Sequence, residues 1–167
     1  RRNSDSRRRK LCIITKAKTI KEQDGQMLLC HSTHIVMTKE VAETEMHAAK
    51  RLQEAIRQET GLILPFSVGE VREGDLSLGI AKTLPEQTYE ITIDEKGGQI
   101  SGGDGAGVLY GVETFCQIVQ QCGGILPCVQ IQDAPDMPNR GYYFDQTRGR
   151  VLKLEELKKN CRQDVPL

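Results

Sequence analysis

Three histidines are the first candidates for chemistry in this chain. His31 and His34 are three residues apart, and His47 follows Glu43 by four residues. A zinc site needs three or four ligands, and a catalytic helix commonly places two histidines around a glutamate. Because no second histidine follows His47, we expect all three to be structural or surface residues, and we predict no metal site.

The carboxylates are numerous but scattered along the sequence. Asp94 and Glu95 are adjacent, in a segment with the composition of a turn, where solvated side chains are expected. No serine or cysteine stands in a recognisable arrangement with a histidine and a carboxylate. Spacing therefore identifies no candidate acid, base or nucleophile within residues 1–133. We predict no catalytic residue and no cofactor in this chain.

A glycine-rich run, Ser101–Gly107, precedes a predicted helix and invites comparison with phosphate-binding loops. It lacks the Gly-Lys-Ser/Thr ending of a P-loop, and it follows a predicted hairpin and not a βαβ unit. The run therefore indicates a tight turn, with Asp104 as a helix cap and small residues along one helix face. Nucleotide binding is the disfavoured alternative.

The composition argues against several classes of partner. The chain has 167 residues with 23 Lys+Arg and 23 Asp+Glu, so its net charge of zero gives no general attraction to nucleic acid or to an anionic membrane. No apolar run approaches the ~20 residues of a membrane-spanning helix. Aromatic residues make up only 4%, without tryptophan. This low content argues against a complete sugar-binding cleft.

Six cysteines occur, and none of them lies in a Cys-x-x-Cys pair. A domain of this size does not need disulfides to fold, so we expect free thiols that are mostly buried. Free thiols favour the cytoplasm, although the sequence leaves the compartment open. The arginine-rich start, residues 1–15, has no apolar segment after its charges, so we expect a disordered tail and not a signal peptide.

Hydrophobic periodicity predicts two long helices. The first has Thr38 as its N-cap and ends near Thr60, with Gly61 as the left-handed residue that follows. The second spans Gly105–Gln121 and is followed by Gly123 and Gly124. Three glycines within the second helix would each cost ~1 kcal/mol if they were exposed. They therefore predict a close approach between this helix and a sheet.

Strands are predicted around these helices. Tyr89–Ile93 alternates in polarity, and a Lys-Gly-Gly turn returns the chain as Gln99–Gly102. The dipeptide Asp24-Gly25 is predicted to be a turn. Further short strands are predicted at Leu11–Thr15, Gln26–Cys30, His34–Met37, Leu62–Val68, Leu76–Ile80 and Val129–Asp133. Because hairpins dominate this pattern, we predict an α+β fold with a mostly antiparallel sheet and both helices packed on one face.

Two stretches resemble the N-terminal accessory domain of family 20 glycoside hydrolases, the β-N-acetylhexosaminidases. Within Tyr89–Gln120, a strand, a turn and a strand precede the pattern D-x-x-G-x-x-Y-G-x-x-T, which here begins at Asp104 and ends at Thr114. Leu126–Arg148 resembles the junction pattern lP-x-v-x-I-x-D-x-P-x-x-x-x-R-G-x-x-x-D-x-x-R. The resemblance covers residues 16–158 and implies a zincin-like accessory fold, named for its shape and not for a metal.

The resemblance implies three segments: the basic tail (1–15), the accessory domain (16–133), and residues 134–167. The last of these would be a linker followed by the truncated first strand, Gly141–Asp145, and first helix of a (β/α)₈ catalytic barrel. The parent protein would remove terminal N-acetylhexosamine from glycans by retaining, substrate-assisted hydrolysis. Its catalytic Asp-Glu pair would lie on a later barrel strand. The fragment alone is therefore predicted to be inactive and to support the barrel.

Three residues of the junction match family positions. Arg140 matches the arginine that holds hydroxyls of the terminal sugar, whereas Asp145 and Arg148 match structural positions. The alternative for Arg140 is a structural role, paired with Asp145 or with a linker carbonyl. The isolated domain is also expected to expose an apolar patch where the barrel would sit, and a dimer through that patch is a further expectation.

Other identities stay open at this point. Gly149 stands where the family usually has histidine after Arg148, so the chain departs from the family pattern at this position. Family 84 glycoside hydrolases carry a similar accessory domain, but their junction lacks the Asp-x-x-Arg after Arg-Gly, so they rank second. An independent carbohydrate- or protein-interaction module and a small stand-alone enzyme are the remaining alternatives.

Overall fold

The sheet that organises this chain has seven strands, with two long helices beside it. The computed structural model describes residues 17–37, 43–141 and 153–156. The predicted strand Leu11–Thr15, the N-cap Thr38 and the basic tail lie outside these residues. The strands are β1 (Thr19–Leu28), β2 (Ile35–Met37), β3 (Phe66–Val68), β4 (Leu76–Ile80), β5 (Tyr89–Asp94), β6 (Gly97–Gly102) and β7 (Ile125–Asp133), and the helices are α1 (Glu43–Thr60) and α2 (Gly105–Cys122).

The strand order is β1-β7-β5-β6-β4-β2-β3. The pairs β1–β7, β7–β5 and β5–β6 are antiparallel, whereas β6–β4, β4–β2 and β2–β3 are parallel. The predicted α+β fold is confirmed, and its longest ladder, β1–β7, is antiparallel. β2 and β3 are parallel because α1 forms the crossover between them.

Both helices cover the same face of the sheet, as predicted. α2 packs against β4, β5, β6 and β7, and α1 packs against α2, β2 and β4. The alternation expected for β5 is confirmed: Tyr89, Ile91 and Ile93 are buried, whereas Glu90 is exposed. The largest fully buried side chain, Phe115 of α2, lies in the same hydrophobic core. The core is therefore the layer between one sheet face and the two helices.

The approach of α2 to the sheet is as close as its glycines predicted. A Cβ atom on Gly107 would meet the carbonyl oxygen of Thr88, and one on Gly111 would lie 2.7 Å from Ile100 Cγ2. At the start of α2, Asp104 Oδ1 accepts a hydrogen bond from the Gly107 N–H at 2.7 Å. The predicted cap and the predicted close contact are both confirmed, and together they seat α2 on β5 and β6.

The ends of the helices follow the predicted glycines. Gly61 has φ +77° and its N–H donates to the Arg57 carbonyl at 2.9 Å. Gly123 has φ +65° and its N–H donates to the Val119 carbonyl at 2.7 Å. Glycines with positive φ at such positions close the last helical turn. In the part of the chain that the structure describes, no helix is both long enough and apolar enough to span a membrane.

The predicted turn at Asp24-Gly25 is wrong. These two residues lie inside β1, where the register with β7 shifts between Glu22 and Gln26. Gly25 has φ +111°, and a Cβ there would crowd the Cys128 sulfur at 3.1 Å. A sheet-edge strand can accommodate extra residues in a bulge because only one side of it is paired. The turn signal therefore marks an irregularity in a strand that is longer than the predicted Gln26–Cys30.

Prolines account for two further differences from the predicted strands. β7 begins at Ile125 and continues through Pro127, whereas the predicted strand started at Val129. Pro127 pairs with Gln26, just where the β1 register has shifted, so its missing N–H falls at a bulge. β3 starts only at Phe66 and not at Leu62, because Pro65 precedes it and cannot donate to a ladder.

Candidate functional site

Arg140, the predicted sugar-binding residue, is exposed and lies in the second of two compact units, which divide between Pro135 and Asp136. Its Nη1 donates a hydrogen bond to the Met137 carbonyl at 3.2 Å. This bond is the linker-carbonyl contact that was the alternative for Arg140, and the sugar-binding role stays a prediction. The predicted junction residues Asp145 and Arg148 lie outside the described residues.

The histidines do not converge on a metal centre. His34 Nδ1 lies 2.9 Å from the Ser32 carbonyl oxygen and 3.5 Å from Asp75 Oδ1. His31 and His47 are exposed. Within residues 17–37, 43–141 and 153–156, no three or more His, Cys, Asp or Glu side chains are grouped so that they could hold a metal ion. His34 is therefore positioned by the turn before β2.

Asp75 is a buried carboxylate that holds backbone groups. Its Oδ1 accepts from the His34 N–H at 2.8 Å, and its Oδ2 accepts from the Arg72 N–H at 2.9 Å. Its own carbonyl accepts from the Gly98 N–H at 3.0 Å. The residue thus ties the starts of β2, β4 and β6 together. Its environment indicates a structural role.

The D-x-x-G-x-x-Y-G-x-x-T segment forms a connected set of contacts. Asp104 Oδ1 accepts from the N–H of Gly107 and also from the N–H of Gln87, at 3.1 Å. Gly111 packs against Tyr89, where a Cβ would lie 3.4 Å from the Tyr89 Cβ. The last motif residue, Thr114, meets the hydroxyl of the same Tyr89. The motif therefore seats α2 on β5 and offers no ligand-binding loop.

A buried polar network joins this motif to the junction motif. Tyr89 Oη lies 2.7 Å from Thr114 Oγ1 and donates to Asp133 Oδ2 at 3.3 Å. Asp133 Oδ1 accepts from the Lys18 N–H at 3.2 Å. Burial, reinforced by the nearby Asp133 carboxylate, raises the pKa of Tyr89 to about 12, so its phenol remains a donor at neutral pH.

Sequence reasoning assigned Tyr89 to a buried strand face but missed its partners. Thr114 and Asp133 are 25 and 44 residues away from it along the chain. Both occur as fixed letters in the two motifs, which was the only signal that they matter. Periodicity cannot connect them because it registers spacing within a single element.

The cysteines that the structure describes are free thiols, as predicted. Cys116 and Cys128 are buried, and Cys30 and Cys122 are half-buried. Burial raises the pKa of Cys116 to about 12, which makes its thiol unreactive at neutral pH. Hydrogen bonds from Ser32, followed by those from Thr33, lower the pKa of Cys30. Cys12 and Cys161 lie outside the described residues.

Two exposed apolar residues are neighbours on the sheet. Leu28 of β1 and Ile125 of β7 are direct cross-strand partners and are 63% and 53% exposed. The adjacent pair, Met27 and Leu126, is buried in the core, so Leu28 and Ile125 lie on the face opposite the helices. They form one small apolar contact surface, and the dimer expected from such a patch stays a prediction.

Comparison with known protein families identifies the domain in which these contacts occur. The model of Glycosyl hydrolase family 20, domain 2, matches residues 12–134. The chain belongs to this family. Its match covers β1 through β7, and so contains the Tyr89–Thr114–Asp133 network but not Arg140.

Bacterial relatives of this family 20 domain carry hexosaminidase names. A beta-hexosaminidase of Porphyromonas gingivalis is 29% identical over 89% of the chain, and one of Vibrio furnissii is 26% identical over 92%. The chain spans only 20% and 24% of the lengths of these two proteins. Most of each relative therefore has no counterpart in the sequence described.

Solved structures share the fold of the family 20 domain. Flavobacterium johnsoniae chitobiase matches 88% of the chain with a TM-score of 0.74 at 19% identity, over 24% of its own length. The β-N-acetylhexosaminidase of Streptomyces coelicolor matches 73% of the chain with a TM-score of 0.61 at 20% identity, over 26% of its own length. At such identities the likeness concerns the fold alone.

Proposed function

We propose that this chain is the non-catalytic accessory domain of a glycoside hydrolase that removes terminal N-acetylhexosamine from glycans. The domain supports a catalytic (β/α)₈ barrel carried by the same polypeptide. The observation that supports this proposal above all others is the family 20 domain 2 match over residues 12–134. The same match favours family 20 over the family 84 alternative.

The environment of the carboxylates supports the non-catalytic assignment. Asp75, Asp104 and Asp133 each accept hydrogen bonds from backbone N–H groups. A general acid or base has to present its carboxyl group to a substrate. These three carboxylates instead hold strand ends, turns and a helix start. The bond-breaking groups are accordingly assigned to the catalytic domain.

Residues 134–167 are assigned to the junction with that catalytic domain. In this assignment, Arg140 contributes to the sugar site and Asp145 and Arg148 are structural. A guanidinium group presents several N–H donors in a fixed plane, which suits a pair of neighbouring sugar hydroxyls. Arg140 is exposed, and its Nη1 donates to the Met137 carbonyl.

The experiment compares the 167-residue chain with a polypeptide that continues through a catalytic barrel. Both are purified and incubated with an aryl N-acetyl-β-glucosaminide, and release of the aryl group is followed. We expect turnover by the longer protein and none by the 167-residue chain, since substrate-assisted hydrolysis requires the barrel's acidic pair. Turnover by the 167-residue chain alone would show that the accessory-domain proposal is wrong.

A further inference from the structure

The ends of the domain meet at one corner of the sheet. The pairing of β7 with β5 ends at Asp133 opposite Tyr89, and its pairing with β1 ends at Gln132 opposite Thr19. β1 is the first described strand and β7 the last, and they run antiparallel. The chain therefore enters and leaves the domain side by side. Backbone pairing stops there, so the ladder alone does not fix the residues that follow Asp133.

The side chain of Asp133 makes hydrogen bonds at the point where the backbone pairing ends. The two carboxylate oxygens of Asp133 point in different directions: Oδ1 accepts from the Lys18 N–H, and Oδ2 accepts from the Tyr89 hydroxyl. Lys18 immediately precedes β1. The Asp133 side chain thus bridges the entry of the chain and the buried hydroxyl group of β5.

The number of available protons determines which group donates in the hydrogen bonds between Thr114, Tyr89 and Asp133. A tyrosine hydroxyl has a single proton, and that of Tyr89 goes to Asp133. Thr114 must therefore donate to the Tyr89 oxygen, which gives a chain of donors from Thr114 through Tyr89 to Asp133. Tyr89 and Thr114 are each only 4% exposed. Buried hydroxyls without partners are costly, so each member of this chain depends on the next.

We propose that Thr114, Tyr89 and Asp133 form a clamp that ties the entry and exit of the domain together and fixes where the linker begins. Arg140 follows Asp133 by seven residues. A fixed starting point shortens the part of the linker that is free to move. This consequence for Arg140 and the catalytic domain depends on the proposed function, whereas the clamp itself does not.

The test measures amide hydrogen exchange by NMR in the 167-residue chain. The double variant Y89F/T114V removes both buried hydroxyls together, because deleting only one would leave its partner unsatisfied. We expect the Lys18 and Asp133 amides to exchange about fivefold faster relative to the core amides of Ile91 and Ile131, because Asp133 loses the hydrogen bond from the Tyr89 hydroxyl. A change no larger than that of the core amides would overturn the clamp.

The matched control is Asp94→Ala at the opposite end of β5, which removes the accepting oxygen. Asp94 Oδ1 also accepts two backbone hydrogen bonds, from the N–H groups of Lys96 and Gly97. We expect this variant to accelerate exchange at Lys96 and Gly97 and to leave Lys18 unchanged. Equal acceleration at Lys18 would mean general loosening of the sheet and would reject the clamp. Because no sugar or barrel is involved, the result is independent of whether the domain serves a glycosidase.

Discussion

Gly107 shows how a single missing methyl group positions a helix. A side chain there would meet the backbone carbonyl of Thr88, which is fixed between β5 and the preceding turn. A backbone atom cannot move aside as the end of a flexible side chain can. The glycine therefore sets the distance between α2 and the sheet, and this distance lets Thr114 reach Tyr89.

We predict that Gly107→Ala destabilises the domain. Overpacking costs typically about 1–3 kcal/mol, and the gain in helix propensity of ~1 kcal/mol offsets only part of it. The measurement is the free energy of unfolding in urea. Gly124→Ala is the control, because its new Cβ would make only ordinary contact with Thr60 Cγ2 at 3.7 Å. Equal stabilities of the two variants would contradict the close-approach argument.

At the scale of elements, α1 and α2 are joined by packing and by one two-point ion pair. Arg51 Nε donates to Glu113 Oε1 at 2.8 Å, and Arg51 Nη2 donates to Glu113 Oε2 at 3.2 Å. Glu113 is the only charged residue of α2. The helix is otherwise apolar or neutral, so its attachment to α1 depends mainly on buried side chains such as Val112 and Ala48.

We predict a small and salt-sensitive contribution from this ion pair. In a double-mutant cycle of Arg51→Met and Glu113→Gln, the coupling energy should be roughly 0.5 kcal/mol, since a part-exposed pair is screened by solvent. It should decrease at high ionic strength. The measurement is urea unfolding of the four proteins at two salt concentrations. A coupling energy of zero at low salt would mean that packing alone joins the helices. Glu90→Gln, an exposed charge on β5, is the control.

At the scale of the whole molecule, the chain divides into two compact units, 1–135 and 136–167. The first contains the family 20 domain 2 fold, with its two helices and its mixed sheet. The second contains Arg140, whose guanidinium donates to the Met137 carbonyl. We predict that the first unit supports the catalytic domain and that the second contributes to the sugar site.

We predict that Arg140→Lys impairs the longer, barrel-containing protein. A lysine keeps the charge but loses the planar set of donors, so kcat/KM should fall about 10–100-fold, as expected when a charged hydrogen-bonding group is lost. Steady-state kinetics on an aryl N-acetyl-β-glucosaminide provide the measurement. Arg72→Lys, at an exposed arginine of the first unit, should leave kcat/KM unchanged. An unaffected R140K enzyme would assign Arg140 to the linker contact only.

The sequence by itself determined the elements whose signals are local. The bounds of Leu76–Ile80, the presence of the β5–β6 hairpin, the Asp104 cap and the glycine that ends α1 were predicted correctly. The predicted Lys-Gly-Gly turn was wrong, because Gly97 and Gly98 already belong to β6. Each of these depends on residues within a few positions of one another, where propensity and periodicity act. The two motifs likewise indicated the family, although they did not indicate that Thr114 and Asp133 are the partners of Tyr89.

Only the tertiary structure decided the features that join distant parts of the chain. The bulge at Gly25, the passage of β7 through Pro127 and the parallel half of the sheet all arise from pairing between strands far apart in sequence. The bond between Lys18 and Asp133 spans 115 residues. Local propensity contains no information on such contacts, because each depends on where the packing of the whole core places its two partners.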